Sequence, residues 1–269
     1  MESNRNLVFV EVGIVYFLMI YVFRAVLEMP LAQQISAGLN GHLFPAYAAL
    51  MAAAFVVYNI RAYAQLRLPT PDKRRHQLAI AGVGFLPAFL FSALLSWVDW
   101  QQWRGALLLV AALIVMLVWF GWAARKKPSW QQAGMAGGLL LLPLAAPLLP
   151  RIGDVLLAVV YFYFFVALSE ETLFRGYIQV RLNSVLGRPF RFFGIPWGWG
   201  LVVSSLLFGL WHWGWLPGEI HWTQVVWTIF AGLFFGIVRE KSEGVIAPAI
   251  LHGVVNYGPQ AALLYLLWR

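Results

Sequence analysis

The sequence predicts an all-α, polytopic membrane protein with about eight to nine transmembrane helices. Three observations predict it. Hydrophobic residues make up 61% of the 269 positions and charged residues only 11%, against roughly 25% charged in an average soluble protein. The apolar residues gather in runs long enough to cross hydrocarbon, and the basic residues fall between those runs. A soluble globule of this length could not bury so much apolar surface. A disordered chain, a coiled coil or a disulfide-rich secreted domain would not have this composition. Cysteine is absent, which removes disulfides, thiolate metal sites and cysteine nucleophiles.

In order along the chain, spans are expected at about 7–27, 43–60, 78–97, 105–124, 134–150, 155–172, 201–216, 223–238 and 245–266. The first is long and lacks a small-residue cleavage site, so it reads as an uncleaved anchor. Several later runs are shorter than the ~20 residues that cross ~30 Å of hydrocarbon, which makes eight the alternative count. With the N-terminus in the cytoplasm, fifteen of the nineteen Lys and Arg residues fall on inner segments and four on outer ones. That split supports an N-terminus and a site opening on the cytoplasmic side. The net charge of +8 is accounted for by these loops facing the lipid bilayer. No basic face remains for nucleic acid.

The chain divides in character near residue 150. Residues 1–150 are N-terminal transmembrane helices with little polar chemistry; Glu11 and Arg24 lie near helix ends and read as structural. Residues 151–269 carry acids, histidines and an asparagine inside apolar helices. Neither a solenoid repeat nor matched Gly/Pro-broken halves are visible, which weakens a transporter reading.

The first polar feature is Ser169-Glu170-Glu171-Thr172-Leu173-Phe174-Arg175. Glu171 and Arg175 are four apart and share a helical face, so they can pair. Glu170 is turned away by about 100° and is left free of that pair. Burial without a cation would suit it to general acid–base work. The second feature is Phe208-Gly209-Leu210-Trp211-His212, and the third is His252-Gly253-Val254-Val255-Asn256, whose His252 and Asn256 share a face. Each could merely glue helices together; three such features on three apolar helices favour a shared site. Ser204 and Ser205 read as helix-packing residues, as do Gly232 and Gly236 on the span 223–238. The run 194–200, rich in Gly, Pro and Trp, is poor helix material and is expected as an interfacial or re-entrant loop. The next helix should then start near Leu201, placing His212 at the depth of Glu170 and His252.

The ordered set Glu-Glu-x-x-x-Arg, Phe-x-x-x-His and His-x-x-x-Asn resembles the CAAX-protease and bacteriocin-processing family of intramembrane proteases, relatives of the type II CAAX prenyl endopeptidase. The resemblance covers about residues 155–269. It implies that Glu170 and His212 activate the attacking water, that His252 and Asn256 stabilise the oxyanion, and that Glu171 and Arg175 hold the site together. It also implies a peptide or membrane-associated protein substrate. Members have been described both as glutamate proteases and as metalloproteases. The residues here favour chemistry without a cofactor; a divalent metal such as zinc on Glu170, His212 and His252 is the alternative. The His-Glu-x-x-His zinc motif is absent, as are the Gly-x-Ser-Gly and Gly-x-Gly-Asp motifs of other intramembrane proteases. The rival reading is a non-catalytic transporter, immunity or scaffold protein that uses the same buried polar cluster for binding.

Overall fold

A computed structural model describes residues 2–39, 42–62, 71–125, 152–213 and 221–266. The expected span 134–150 lies outside the described residues. The helices are α1 (Glu2–Leu27), α2 (Pro30–Gly38), α3 (Phe44–Ala62), α4 (Pro71–Trp97) and α5 (Trp103–Ala123), then α6 (residues 152–186). A short hairpin of β1 (Phe190–Phe192) and β2 (Ile195–Trp197) follows, then α7 (Trp199–Trp211), α8 (Trp222–Ser242) and α9 (Ile246–Leu266). Among the described residues, α1, α4, α5, α6 and α8 contain stretches long and apolar enough to span a membrane, and α3, α7 and α9 contain shorter apolar stretches. The protein is therefore an all-α integral membrane protein that crosses the bilayer several times.

Helix α1 shows how composition becomes a lipid-facing surface. Val8, Val12, Tyr16, Met19 and Phe23 are buried, while Leu7, Val10, Ile14, Phe17 and Tyr21 are exposed. Both sets recur every three to four residues, so they are two faces of one helix. In a soluble protein the outer face would be polar. Here it is as apolar as the inner one, which suits hydrocarbon.

Helix α6 departs from expectation. The sequence places its end near residue 172, yet it continues to Leu186 through two wide π-helical stretches, Val160–Ala167 and Thr172–Gln179. Such stretches recur at functional sites, and here the two flank Glu170 and Glu171. Arg175, Gln179 and Asn183 resemble a membrane exit in the sequence, but all three are buried and face α8. Arg175 Nη2 donates to the Gly232 carbonyl at 3.1 Å, Gln179 Nε2 to the Gly236 carbonyl at 3.1 Å, and Asn183 Nδ2 to Glu240 Oε1 at 2.9 Å. Each partner lies 57 positions further along the chain. The two helices therefore run parallel, with one rung per four residues. The glycines also let α7 lie close against α8: a Cβ on Gly232 would lie 3.0 Å from Ser205 Cα on α7. The expectation that Gly232 and Gly236 pack closely against the site helices holds.

Residues 194–197 of the run expected as a loop belong to the hairpin, and Trp199 and Gly200 begin α7. Phe192 pairs with Ile195 across a two-residue turn in which Phe193 (φ 49°) and Gly194 (φ 84°) are both left-handed. Two positive φ values are what a type I′ turn requires. Helix α7 starts at Trp199, two residues earlier than expected, and reaches no further back. Ser204 and Ser205 are buried and donate to the carbonyls of Phe174 and Leu201, consistent with their packing role.

Two apolar clusters fill the interior. One joins α4, α5, α8 and α9, with Leu109, Phe120, Phe234, Phe235 and Leu251 among its members. The other joins α1, α3, α6 and α7, with Phe23, Leu50, Phe174, Phe208 and Trp211. The polar residues of interest lie at the seam between them.

Candidate active site

Glu170 and Glu171 are almost wholly buried, at 1% and 0% exposure. A buried carboxylate is costly unless it is paired and hydrogen-bonded, and each is held differently. Glu171 Oε2 lies 3.2 Å from Arg175 Nε, the expected pair. The Arg175 guanidinium is fully buried and sits 4.2 Å over the Phe208 ring, an electrostatically favourable seat for a cation in an apolar setting. Arg175 is thus buried within the cluster, beside Glu171. Glu171 Oε1 lies 2.9 Å from His252 Nδ1. An ionised carboxylate has no proton to give, so Nδ1–H donates. His252 Nε2 is then the ring nitrogen left for chemistry, and it faces Glu170 Oε2 at 3.8 Å.

Glu170 is not the free carboxylate the helical wheel suggests. Its Oε1 accepts from Tyr47 Oη and from Trp211 Nε1, both at 3.2 Å. Only Oε2 accepts no hydrogen bond from the described residues. Glu170 therefore presents one saturated oxygen and one open one, and the open one faces the imidazole of His252.

His252 packs between the two apolar clusters. It stacks on Phe235 at 4.8 Å and meets Phe208 edge-on at 5.7 Å. Gly253 is needed beside it, because a Cβ there would reach 2.4 Å from the Tyr163 ring. Asn256 lies one turn further along α9, half-buried. His212 closes the C-terminal end of α7. Its Nδ1 donates to the Phe208 carbonyl at 2.8 Å, which leaves the Nε2 lone pair open in the neutral ring. The Phe208 ring lies 4.8 Å from His212, so one phenylalanine touches Arg175, His212 and His252. Glu170, His252 and Arg175 are the titratable groups that face His212.

Glu170, Glu171, Arg175 and His252 are therefore brought into direct contact, with His212 and Asn256 on the surrounding turns. For the alternative metal set Glu170, His212 and His252, no group of three His, Asp or Glu side chains among the described residues stands ready to hold an ion. His252 commits Nδ1 to Glu171 and keeps Nε2, an arrangement that histidine ligands also use.

Sequence reasoning missed Tyr47 and Trp211. Trp211 stands beside His212 in the second motif, so its position was available. Tyr47, in an N-terminal span of ordinary composition, carried no signal. Also missed was Glu240, buried on α8, which accepts from Gln179, Asn183, Arg188 and Arg239. Two further histidines lie outside the site: His76 Nε2 meets the Lys241 carbonyl at 3.1 Å, and His42 stacks on Tyr161 at 4.5 Å. Burial there pushes the His42 pKa below the ordinary histidine value.

A family model described as type II CAAX prenyl endopeptidase Rce1-like matches residues 152–258. Neither a curated protein nor a solved structure matches the chain. The matched stretch starts at the first residue of α6 and runs two positions past Asn256, so it includes all three motifs. Residues 152–258 are thus similar to the Rce1-like type II CAAX prenyl endopeptidases, in agreement with the resemblance that the ordered motifs carry.

Proposed function

We propose that the protein is a glutamate-type intramembrane endopeptidase that hydrolyses a peptide bond of a membrane-associated substrate. The observation that carries this reading is the division of labour between the two buried acids. Glu171 neutralises Arg175 and fixes the His252 ring, while Glu170 offers one unpartnered oxygen towards that ring. A proton-coupled carrier has no need for an imidazole held by its own carboxylate–guanidinium pair.

In this reading a water binds between Glu170 Oε2 and the open Nε2 of His212. Glu170 accepts a proton as the oxygen attacks the scissile carbonyl carbon. The carbonyl π-electrons move onto oxygen, giving a tetrahedral oxyanion. His252 Nε2–H and the Asn256 carboxamide donate to that oxyanion. An imidazolium at His252 balances the charge, two carboxylates against one guanidinium and one imidazolium. Collapse breaks the C–N bond, and the proton held by Glu170 passes to the leaving amine. No step is routed through a metal. The excess of basic residues on the inner segments supports a site that opens to the cytoplasmic side.

The test is to label new protein N-termini in membranes containing either the wild-type protein or Glu170→Gln at equal abundance. Wild type is expected to generate ends that the variant does not, because losing a general base typically costs 100- to 10,000-fold in rate. Identical sets of ends would end the proposal.

A further inference from the structure

We propose that Tyr47, on α3 and outside the matched region, is a positioning residue that works with Trp211 to orient the Glu170 carboxylate. The inference rests on the reading of Glu170 as the base for water.

Both donors reach the same oxygen. Tyr47 Oη and Trp211 Nε1 each lie 3.2 Å from Glu170 Oε1. They come from two helices, α3 and α7, that flank α6. Two donors from different directions oppose rotation of the carboxylate about its terminal bond, and that torsion is otherwise broad and soft. With Oε1 held, Oε2 is the oxygen that faces His252 Nε2. A 3.8 Å separation is too long for a direct hydrogen bond but can be bridged by one oxygen atom donating to Oε2. The two donors thus select which carboxylate oxygen is the base and fix the direction of its lone pairs.

The surroundings argue against a merely structural hydroxyl. Tyr47 is packed as an apolar ring, edge-on to Phe23 at 5.1 Å and to Tyr161 at 5.6 Å. Phenylalanine would fill that space, and a buried hydroxyl carries a desolvation cost that phenylalanine avoids. Trp211 is likewise buried and edge-on to Phe23 at 5.8 Å. Each ring delivers its polar atom to Glu170.

The experiment compares Tyr47→Phe and Trp211→Phe with wild type and Glu170→Gln, all purified in detergent. The first readout is the infrared carboxylate stretch of Glu170, isolated in each background as the difference against the same protein carrying Glu170→Gln. The second is kcat and KM on an internally quenched, farnesylated Cys-aliphatic-aliphatic-X peptide. Each single variant is expected to move the Glu170 band and to lower kcat about 10- to 100-fold, the worth of one hydrogen bond to a charged group. KM should stay within about twofold, since the role assigned to the buried Tyr47 hydroxyl is to hold Glu170 and not to bind substrate. An unmoved band, or a wild-type kcat while Glu170→Gln is inactive, overturns the proposal. If wild type does not turn over this peptide, the band decides alone. If one variant fails to fold, the other decides. Full activity in Glu170→Gln would instead remove the underlying function reading, so the two failures are told apart.

Discussion

Replacing Arg175 with methionine tests the core of the site. The side chain has no exposed surface, its Nε lies 3.2 Å from Glu171 Oε2, and its Nη2 donates to the Gly232 carbonyl at 3.1 Å. Methionine fills similar volume but strands Glu171, itself fully buried. Removing one partner of a buried pair typically costs about 3–5 kcal/mol, whereas an exposed pair is worth ~0–1 kcal/mol. The magnitude therefore reports the burial. Removing both charges, in Glu171→Leu with Arg175→Met, should recover much of the loss, because an apolar pair of similar size often substitutes for a buried ion pair. Activity should not recover with it. His252 Nδ1 loses its acceptor in the double variant, so the ring is no longer held with Nε2 towards Glu170. The assay is unfolding of purified protein in mixed micelles, paired with peptide cleavage. A loss below ~1 kcal/mol in Arg175→Met, or a double variant that cleaves like wild type, would refute the reasoning.

Further expectations concern the surrounding turns. Asn256→Ala should lower kcat about 100- to 1,000-fold with little change in KM, measured by steady-state kinetics; a change in KM alone would contradict its assigned role. Gly253→Ala forces a Cβ to within 2.4 Å of the Tyr163 ring and is expected to cost about 1–3 kcal/mol in the same unfolding assay. Glu240→Ala leaves Arg188 and Arg239 without their shared carboxylate and should destabilise by roughly 3–5 kcal/mol while Glu170-dependent cleavage survives in the folded fraction.

The membrane fold was legible because lipid imposes a simple rule: apolar runs of sufficient length must be helices. Glu171 with Arg175 was legible because their spacing lies within one helix. The extension of α6 was not, since polarity at Gln179 and Asn183 carries the same sequence signal whether it meets water or a neighbouring helix. Only the partners on α8 tell the two apart. Residues 194–198 of the 194–200 run were correctly excluded from helix by their Gly and Pro residues, whereas Trp199 and Gly200 begin α7; the pairing as a hairpin depends on the two-residue turn at Phe193 and Gly194. Tyr47 was invisible for a different reason. Its contact with Glu170 spans 123 positions of chain, and nothing local distinguishes it from any packed tyrosine.

The constant 57-residue offset between α6 and α8 carries a consequence for how this protein can change. The connections on either side of α7 can be lengthened or shortened without disturbing the rungs, because both partners of every rung stay in phase with their own helix. A single inserted residue within residues 176–182 or 233–239 would swing part of one helix by about 100° and carry at least one rung away from its partner. Family members should therefore vary in these connections and keep these two helical segments free of insertions and deletions, which sequence comparison across the family can check.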